Sequence, residues 1–272
     1  MSDAAGDARA GRANSEPGPL AFITGASSGI GQALAARCHR AGYRLALVAR
    51  RADDMRAWAD AQGIPSARCG IYAADVRDVP AITAAGRACI AAQGLPDVVI
   101  AAAGISIGMD TAVYDDLDVM RAIYETNNLG TAATFQPFVD AMRARGSGRL
   151  VGVASVGGIR GLPGHGGYCS SKAAVISYCE SLRGELRGTG VKVVTLVPGY
   201  IDTPLTRANP YGMPFLMQPA DFADRAFNVI EAGASYRVIP WQMGIVARVM
   251  RLLPNALLDR LAAGRGRKPR RT

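Results

Sequence analysis

Short apolar runs alternate with longer Ala-rich stretches of helical spacing between residues 20 and 240 of this chain. The runs are apolar at consecutive positions, as expected of strands that helices cover on both faces of a parallel sheet. Seven strands are predicted, at Leu20–Thr24, Arg44–Ala49, Ala67–Ala73, Asp97–Ala101, Arg149–Ala154, Val191–Val197 and Tyr236–Pro240. Six helices are predicted between them, near residues 29–41, 51–62, 78–93, 117–145, 167–188 and 219–231. The pattern predicts an α/β fold with an open, doubly wound, seven-stranded parallel sheet.

The composition at the two ends differs from that of the middle of the chain. We expect residues 1–18 to be a disordered tail, residues 19–242 to form the sheet domain, residues 243–263 to form a helical extension and residues 264–272 to be a basic disordered tail. Residues 203–217 contain three prolines and no clear period, which predicts a long loop. No apolar run reaches the length of a membrane span, roughly 18 to 20 residues, and the start of the chain has no signal-peptide pattern. A cytoplasmic location is therefore expected.

The net charge of +9 suits an anionic partner, and its distribution narrows the choice. Residues 264–272 carry five positive charges without an interleaved aromatic residue, which disfavours nucleic-acid binding. The remaining positive charge suits an anionic cofactor as well as it suits a nucleic acid. Five scattered cysteines and only two histidines support neither a disulfide framework nor a metal site.

Three glycines, Gly25, Gly29 and Gly31, follow the first predicted strand and open a predicted helix. Glycines at such a junction bring backbone N–H groups close to a pyrophosphate at the positive end of a helix. The alternative is a turn that serves packing alone. The strand before and the amphipathic run after these glycines favour a dinucleotide site.

Arg50 and Arg51 end the second predicted strand, where such a site recognises the adenosine ribose. An acidic residue there binds the 2′-hydroxyl group, whereas arginine favours a 2′-phosphate. The pair predicts NADP(H) rather than NAD(H), unless one or both arginines only belong to a solvated helix start.

Tyr168 and Lys172 lie four residues apart at the start of a predicted helix and project from one face. A tyrosine with an ordinary pKa of about 10 is a poor proton donor at neutral pH, and a nearby ammonium group lowers that pKa. Ser155 follows the fifth predicted strand, and Asn127 lies on the helix before that strand.

Five ordered motifs together resemble the short-chain dehydrogenase/reductase family, which has a Rossmann fold. They are Thr24–Gly31 (TGxxxGxG), Asn127–Gly130 (NxxG), Ser155, Tyr168–Lys172 (YxxxK) and Pro198–Gly199, and the resemblance covers about residues 19–240. It implies a catalytic tetrad of Asn127, Ser155, Tyr168 and Lys172. It also implies a cofactor site made of Gly25, Ser27, Ser28, Gly29, Ile30, Gly31, Arg50, Arg51, Asp75, Val76, Ala103, Gly104, Tyr168, Lys172, Pro198, Gly199, Ile201 and Thr203.

The resemblance assigns roles to the tetrad and has one departure. Tyr168 is expected to exchange a proton with the substrate oxygen, Ser155 to orient that oxygen, Lys172 to lower the Tyr168 pKa and hold the cofactor ribose, and Asn127 to position a water. After the fourth strand the family often has the sequence NNAG, whereas this chain has AAAG at residues 101–104. The asparagine side-chain bonds are therefore in doubt, while the backbone contact to the cofactor is expected to remain.

These features predict an NADPH-dependent oxidoreductase that acts on CH–OH groups, reducing a ketone or aldehyde to an alcohol or catalysing the reverse reaction. The alternative is a catalytically idle NADP(H)-binding sensor or scaffold. The substrate is expected to be apolar, because the loop at 203–217 is rich in large apolar side chains. We interpret His165 as a loop residue without a chemical role, although it could touch substrate, and Cys169 as a buried structural thiol.

The apolar extension after the seventh strand has three competing interpretations. It could form a subunit interface of a homodimer or homotetramer, a wall over the active site, or a peripheral membrane contact assisted by the basic end.

Overall fold

A sheet of seven parallel strands forms the centre of the protein, which the computed structural model describes over residues 18–264 and 268–270. The spatial order is β3-β2-β1-β4-β5-β6-β7, and every neighbouring pair is parallel. The strands are β1 (Leu20–Thr24), β2 (Arg44–Ala49), β3 (Cys69–Ala73), β4 (Val98–Ala101), β5 (Gly148–Val153), β6 (Val191–Pro198) and β7 (Tyr236–Ile239). The predicted doubly wound Rossmann fold is confirmed.

Helices cover both faces of the sheet. They are α1 (Gly29–Arg40), α2 (Ala52–Ala61), α3 (Val79–Gln93), α4 (Asp116–Tyr124), α5 (Gly130–Arg145), α6 (Gly166–Glu185), α7 (Pro204–Arg207), α8 (Pro219–Glu231), α9 (Trp241–Leu252) and α10 (Asn255–Ala262). One core layer contains apolar residues of α1, α2 and α8, and the other contains residues of α3, α5 and α6. The chain thus crosses between the faces as a doubly wound sheet requires.

The strand β1 shows why consecutive apolar positions are needed. Ala21 and Ile23 pack into one core layer, while Leu20 and Phe22 pack into the other. Successive side chains of a strand point to opposite faces, so a strand covered on both sides has no polar face. The Phe22 ring meets that of Phe138 on α5 at a centroid distance of 4.8 Å, which fixes that helix against the sheet.

The predicted helix at 117–145 is interrupted. A π-helical turn at Glu125–Leu129 separates α4 from α5. Such a turn inserts an extra residue into a helix and is frequent at functional sites, and here it contains Asn127. Hydrophobic periodicity predicts helical winding throughout and does not distinguish the two hydrogen-bond patterns.

Two predicted boundaries also need correction. The third strand begins at Cys69 rather than Ala67, because Ser66–Arg68 form a 3₁₀ turn that follows Pro65. The predicted loop at 203–217 contains the short helix α7, which Thr203 and Thr206 cap reciprocally.

The basic end of the chain differs most from expectation. Lys268 is only 7% exposed, and the Arg270 guanidinium pairs with the Asp116 carboxylate at 2.7 Å. Gly108 and Arg270 form a parallel bridge. Lys268 and Arg270 therefore have fixed partners in the domain, unlike residues of a disordered tail, because Lys268 is buried and Arg270 pairs with the buried Asp116 carboxylate. Residues 1–17, 265–267 and 271–272, on which the rest of the tail predictions fall, lie outside the described residues.

Candidate active site

A cleft of about 360 Å³ opens at the carboxyl ends of the central strands. It lies where the strand order reverses, between β1 and β4, which is where doubly wound sheets bind their ligands. All the residues predicted to bind the cofactor line this cleft. Their contacts with a cofactor remain predictions.

The glycine turn after β1 provides a bare backbone surface in the cleft. Gly25 has φ +68°, and a Cβ atom there would lie 2.7 Å from the Ala103 backbone nitrogen. A Cβ on Gly31 would collide with the Gly25 carbonyl oxygen. The glycines therefore also serve close packing. In addition, α1 begins at Gly29 without a side-chain cap, so its first N–H groups are available to an anion, and the site fits a pyrophosphate.

Arginines surround the part of the cleft beyond β2. Arg51 pairs with Asp54, whereas Arg50 forms no ion pair with a described residue. Asp75 pairs with Arg77 at 2.9 Å. Burial alone would raise the Asp75 pKa, but the hydrogen bonds and charge of Arg77, with the charge of Arg50, lower it overall. The Asp75 carboxylate thus stays ionised, and its charge is balanced by Arg77. Arg50 is the arginine most available to a phosphate.

Three predicted catalytic side chains meet where the cleft continues into a second cavity. Tyr168 and Ser155 line both spaces, and Lys172 lines the first. Ser155 Oγ accepts a hydrogen bond from Gly157 N at 3.1 Å, which fixes the serine at the end of β5. Lys172 Nζ donates to the Val153 carbonyl oxygen at 2.9 Å and lies 6.0 Å from the Tyr168 ring centroid.

Lys172, which is expected to lower the Tyr168 pKa, is not among the groups that shift this pKa in the structure. Burial raises the pKa of Tyr168 to about 12, and the hydrogen bond with the Ser155 side chain only partly opposes this. Burial also lowers the pKa of Lys172 to about 8. Desolvation disfavours the charged form of each group, so tyrosine keeps its proton while the lysine ammonium is held by a neutral carbonyl.

Asn127 has hydrogen-bond partners in the protein itself. Its Oδ1 accepts from Ile105 N at 2.9 Å, and its Nδ2 donates to Ile105 O at 3.0 Å and to Ser171 Oγ at 2.9 Å. A Cβ on Gly104 would lie 3.3 Å from both Asn127 Oδ1 and Lys172 Nζ. Asn127 therefore ties the loop after β4 to α6 beside the lysine. This side-chain bond holds that loop although the asparagines common in the family at 101–102 are alanines here.

The second cavity, of about 130 Å³, is mostly apolar. Its walls come from the loop before α6, the segment at 199–214 and the inner face of α9, including Met243 and Met250. Of the three interpretations of the C-terminal extension, the wall over the active site therefore describes this inner face. Trp241, Ile245 and Val249 on α9 are exposed, and a subunit or membrane contact through them stays a prediction.

The side chain of His165, which precedes α6, lines this cavity. It is 8% exposed, its Nε2 lies 2.9 Å from the Tyr211 hydroxyl, and burial lowers its pKa. Tyr211 and Leu205 of the predicted substrate loop also line the cavity, whereas Phe215 and Leu216 are exposed. Cys169 is buried with a raised pKa, in agreement with an unreactive thiol.

Sequence reasoning missed Arg77, Ser106 and Lys268, which line the two spaces. Arg77 could have been found from its position beside Asp75. For Lys268 the sequence offers one weak indication, the rarity of lysine. The chain contains only three lysines, Lys172, Lys192 and Lys268, among 31 basic residues.

The family model for the short chain dehydrogenase matches residues 19–212, and the chain belongs to this family of oxidoreductases. An uncharacterized oxidoreductase of Myxococcus xanthus is 38% identical over 242 residues, which are 89% of this chain and 95% of the relative. Estradiol 17-beta-dehydrogenase 1 of Rattus norvegicus is 37% identical over 190 residues, which are 68% of this chain and 54% of that protein.

Solved structures show the same fold. The chain is similar to an alcohol dehydrogenase of Thermococcus sibiricus complexed with 5-hydroxy-NADP, with TM-score 0.71, 26% identity and coverage of 81% of this chain and 95% of that one. A variant of actinorhodin polyketide ketoreductase with NADPH gives TM-score 0.74, 28% identity and the same coverage.

Two kinds of feature are absent from the part of the chain that the structure describes. Within residues 18–264 and 268–270, no group of three or more His, Cys, Asp or Glu side chains is placed to hold a metal ion. None of the helices in these ranges has the length and apolar character needed to cross a membrane.

Proposed function

We propose that the protein is an NADPH-dependent carbonyl reductase that interconverts a predominantly apolar ketone or aldehyde and its alcohol. One observation carries this proposal: Ser155 and Tyr168 border both the cleft that fits a dinucleotide and the mostly apolar cavity. A substrate carbonyl in that cavity would meet both hydroxyl groups. A protein that only senses or binds the cofactor has no need of this arrangement.

Three features support NADP(H) as the cofactor. Arg50 borders the cleft without an ion pair to a described residue, and the negative charge of Asp75 is balanced by its ion pair with Arg77. The Thermococcus and ketoreductase structures carry 5-hydroxy-NADP and NADPH. Gly25, the first turn of α1 and Thr203 would hold the pyrophosphate and nicotinamide ends.

The chain's own residues then divide the work of proton transfer. When bound, the nicotinamide supplies a hydride to the carbonyl carbon or accepts one from the alcohol carbon. Tyr168, which is protonated at neutral pH, donates its hydroxyl proton to the substrate oxygen during reduction. Ser155 hydrogen-bonds that oxygen and orients it. Lys172 is held beside Tyr168 by the Val153 carbonyl, and in the bound state its ammonium would favour the phenolate left after the proton has gone.

The test is the consumption of NADPH with a panel of ketones of increasing chain length and ring number. We expect measurable turnover that rises with apolar size, because the cavity walls are largely apolar. A parallel series with NADH tests the cofactor. Absence of turnover with every carbonyl compound tested, charged or neutral, and with the corresponding alcohols would refute the activity, and a preference for NADH would refute the cofactor.

A further inference from the structure

The second cavity has an unbalanced charge. Among the described residues that line it, the only charged side chains are Arg160 and Lys268, and neither aspartate nor glutamate is present. Arg160 donates to neutral groups, the Asn255 side chain at 2.8 Å and the Leu253 carbonyl at 3.4 Å. The space next to Ser155 and Tyr168 is therefore apolar and positively charged, without a carboxylate on its walls.

Lys268 lies in this cavity with neutral partners. Its Nζ donates to Ser106 Oγ at 3.0 Å and to the Leu205 carbonyl oxygen at 3.0 Å. No carboxylate of a described residue pairs with it, although the residue is only 7% exposed. An ammonium group has three N–H donors, so one is left for a further acceptor.

Burying an ammonium group without an anionic partner is unfavourable. The desolvation lowers the pKa of Lys268 to about 8, so the group still carries its charge for most of the time at neutral pH. An anion that entered the cavity would find this charge already desolvated and held in place, which strengthens the attraction between them.

The position of Lys268 is fixed by its neighbours in the chain. Gly108 N donates to the Pro269 carbonyl at 3.1 Å, and the Arg270 guanidinium makes two hydrogen bonds to the buried Asp116 carboxylate. A Cβ at position 108 would collide with the Lys268 carbonyl. The close approach of the two segments thus requires glycine at position 108. It places Lys268 in the cavity, although this lysine lies outside residues 19–212, the part of the chain that matches the family.

We propose that Lys268 binds an anionic group, such as a carboxylate, of a substrate whose remaining body is apolar and whose carbonyl group meets Ser155 and Tyr168. The substrate class becomes keto acids rather than neutral ketones. This specificity rests on the proposed carbonyl reductase function, whereas anion binding by Lys268 does not require turnover.

Two measurements on the full chain separate these levels. The first is kcat/KM with NADPH for 6-oxoheptanoate, for its shorter and longer homologues, and for the primary amide of each acid, which has nearly the same shape and no charge. The second is calorimetric binding of hexanoate and of hexanamide. Both are made on the wild type, on Lys268→Met, on Lys268→Arg and on Lys192→Met, a matched control at an exposed lysine outside the cavity.

We expect the wild type to prefer the best acid over its amide by about 10-fold or more, and Lys268→Met to lower kcat/KM for that acid by about 10- to 100-fold, mainly through KM. The amide should change by less than about twofold. Lys268→Arg should retain part of the preference because the charge remains, and Lys192→Met should behave as the wild type. Hexanoate binding should weaken in Lys268→Met while hexanamide binding does not.

The opposite results are equally clear. Equal treatment of acid and amide by the wild type in both measurements would overturn the inference while leaving the reductase function intact. An equal loss for acid and amide in Lys268→Met would show that the lysine only anchors the C-terminal segment. If no carbonyl compound is reduced at all, the proposed function fails, and the hexanoate measurement still decides whether Lys268 binds anions.

Discussion

The two halves of the candidate site are built in different ways. The cofactor half comes from turns that directly follow β1, β2 and β4, whose ends a parallel sheet brings to one edge. The substrate half combines segments that are far apart in the chain: Lys268 contacts Ser106 over 162 residues and Leu205 over 63. The first half therefore follows from the sheet, whereas the second depends on how the end of the chain docks.

The two halves also hold their charges differently. Arg50 and Arg51 at the cofactor half are exposed, so water screens their interactions. Lys268 in the substrate half is buried among neutral partners, and its charge is unscreened. Substitutions in the two halves should consequently change different quantities.

The largest effect is expected where the halves meet. Tyr168→Phe removes the hydroxyl that donates the proton, and we expect kcat to fall by about 1,000-fold or more, since a positioned general acid contributes about 100- to 10,000-fold. NADPH binding, measured by fluorescence titration, should be nearly unchanged. Tyr178→Phe, on the same helix but stacked against Phe135, is the matched control and should keep turnover within about twofold. A Tyr168→Phe protein with wild-type turnover would refute the role of this residue.

A smaller effect is expected at the phosphate end of the cofactor half. Arg50→Ala should lower kcat/KM for NADPH by about 30- to 100-fold and leave kcat/KM for NADH nearly unchanged, because a 2′-phosphate would lose a charge-assisted hydrogen bond. Arg51→Ala should have a weaker effect, about threefold, since Arg51 already pairs with Asp54. Equal losses with NADPH and NADH would show that Arg50 does not recognise the 2′-phosphate.

The same contrast explains how much the sequence predicts. The seven strands are all found near their predicted positions, because a strand buried on both faces must be apolar along its whole length. Glycines and arginines that directly follow such strands lie in the cleft as expected. The π turn around Asn127 escapes prediction, because one extra residue in a helical turn leaves the apolar periodicity of the flanking helices intact.

The substrate half is less predictable for a different reason. The Arg270–Asp116 pair joins residues 154 positions apart, and a basic tail rich in glycine and proline has the composition of a solvated segment. Nothing in that composition indicates that a carboxylate at the start of α4 is buried and has to be paired. His165 is similar, because its contact with Tyr211 depends on the fold of the 199–214 segment.

The last prediction tests whether the ammonium group of Lys268 is buried in solution, through the pH dependence of stability. Its pKa is about 8 in the folded protein and 10.5 when exposed, so between these values the unfolded chain binds more protons. The free energy of unfolding of the wild type should therefore rise, relative to Lys268→Met, as the pH increases from about 8 to about 10.5. Each pKa unit corresponds to about 1.4 kcal/mol, which sets a ceiling of about 3 kcal/mol, and we expect about 1–2 kcal/mol after relaxation of the site. Urea unfolding of both proteins at about pH 7 and about pH 10 measures the change.

The neighbouring groups do not disturb this comparison. Burial, with a smaller contribution from the charge of Lys268, lowers the pKa of His165, which lies below the window in either protein. Burial raises the pKa of Tyr211 to about 12 without a contribution from Lys268, so the effect of Tyr211 on stability is the same in both proteins and cancels in the difference. Burial lowers the pKa of Lys172 to about 8 without a contribution from Lys268, so the effect of Lys172 on stability cancels in the difference. Lys192→Met removes an exposed lysine and should leave the difference from the wild type independent of pH. If the difference in unfolding free energy between the wild type and Lys268→Met is the same at both pH values, Lys268 is exposed to solvent in solution. The C-terminal segment would then not be docked on the substrate half as the structure shows.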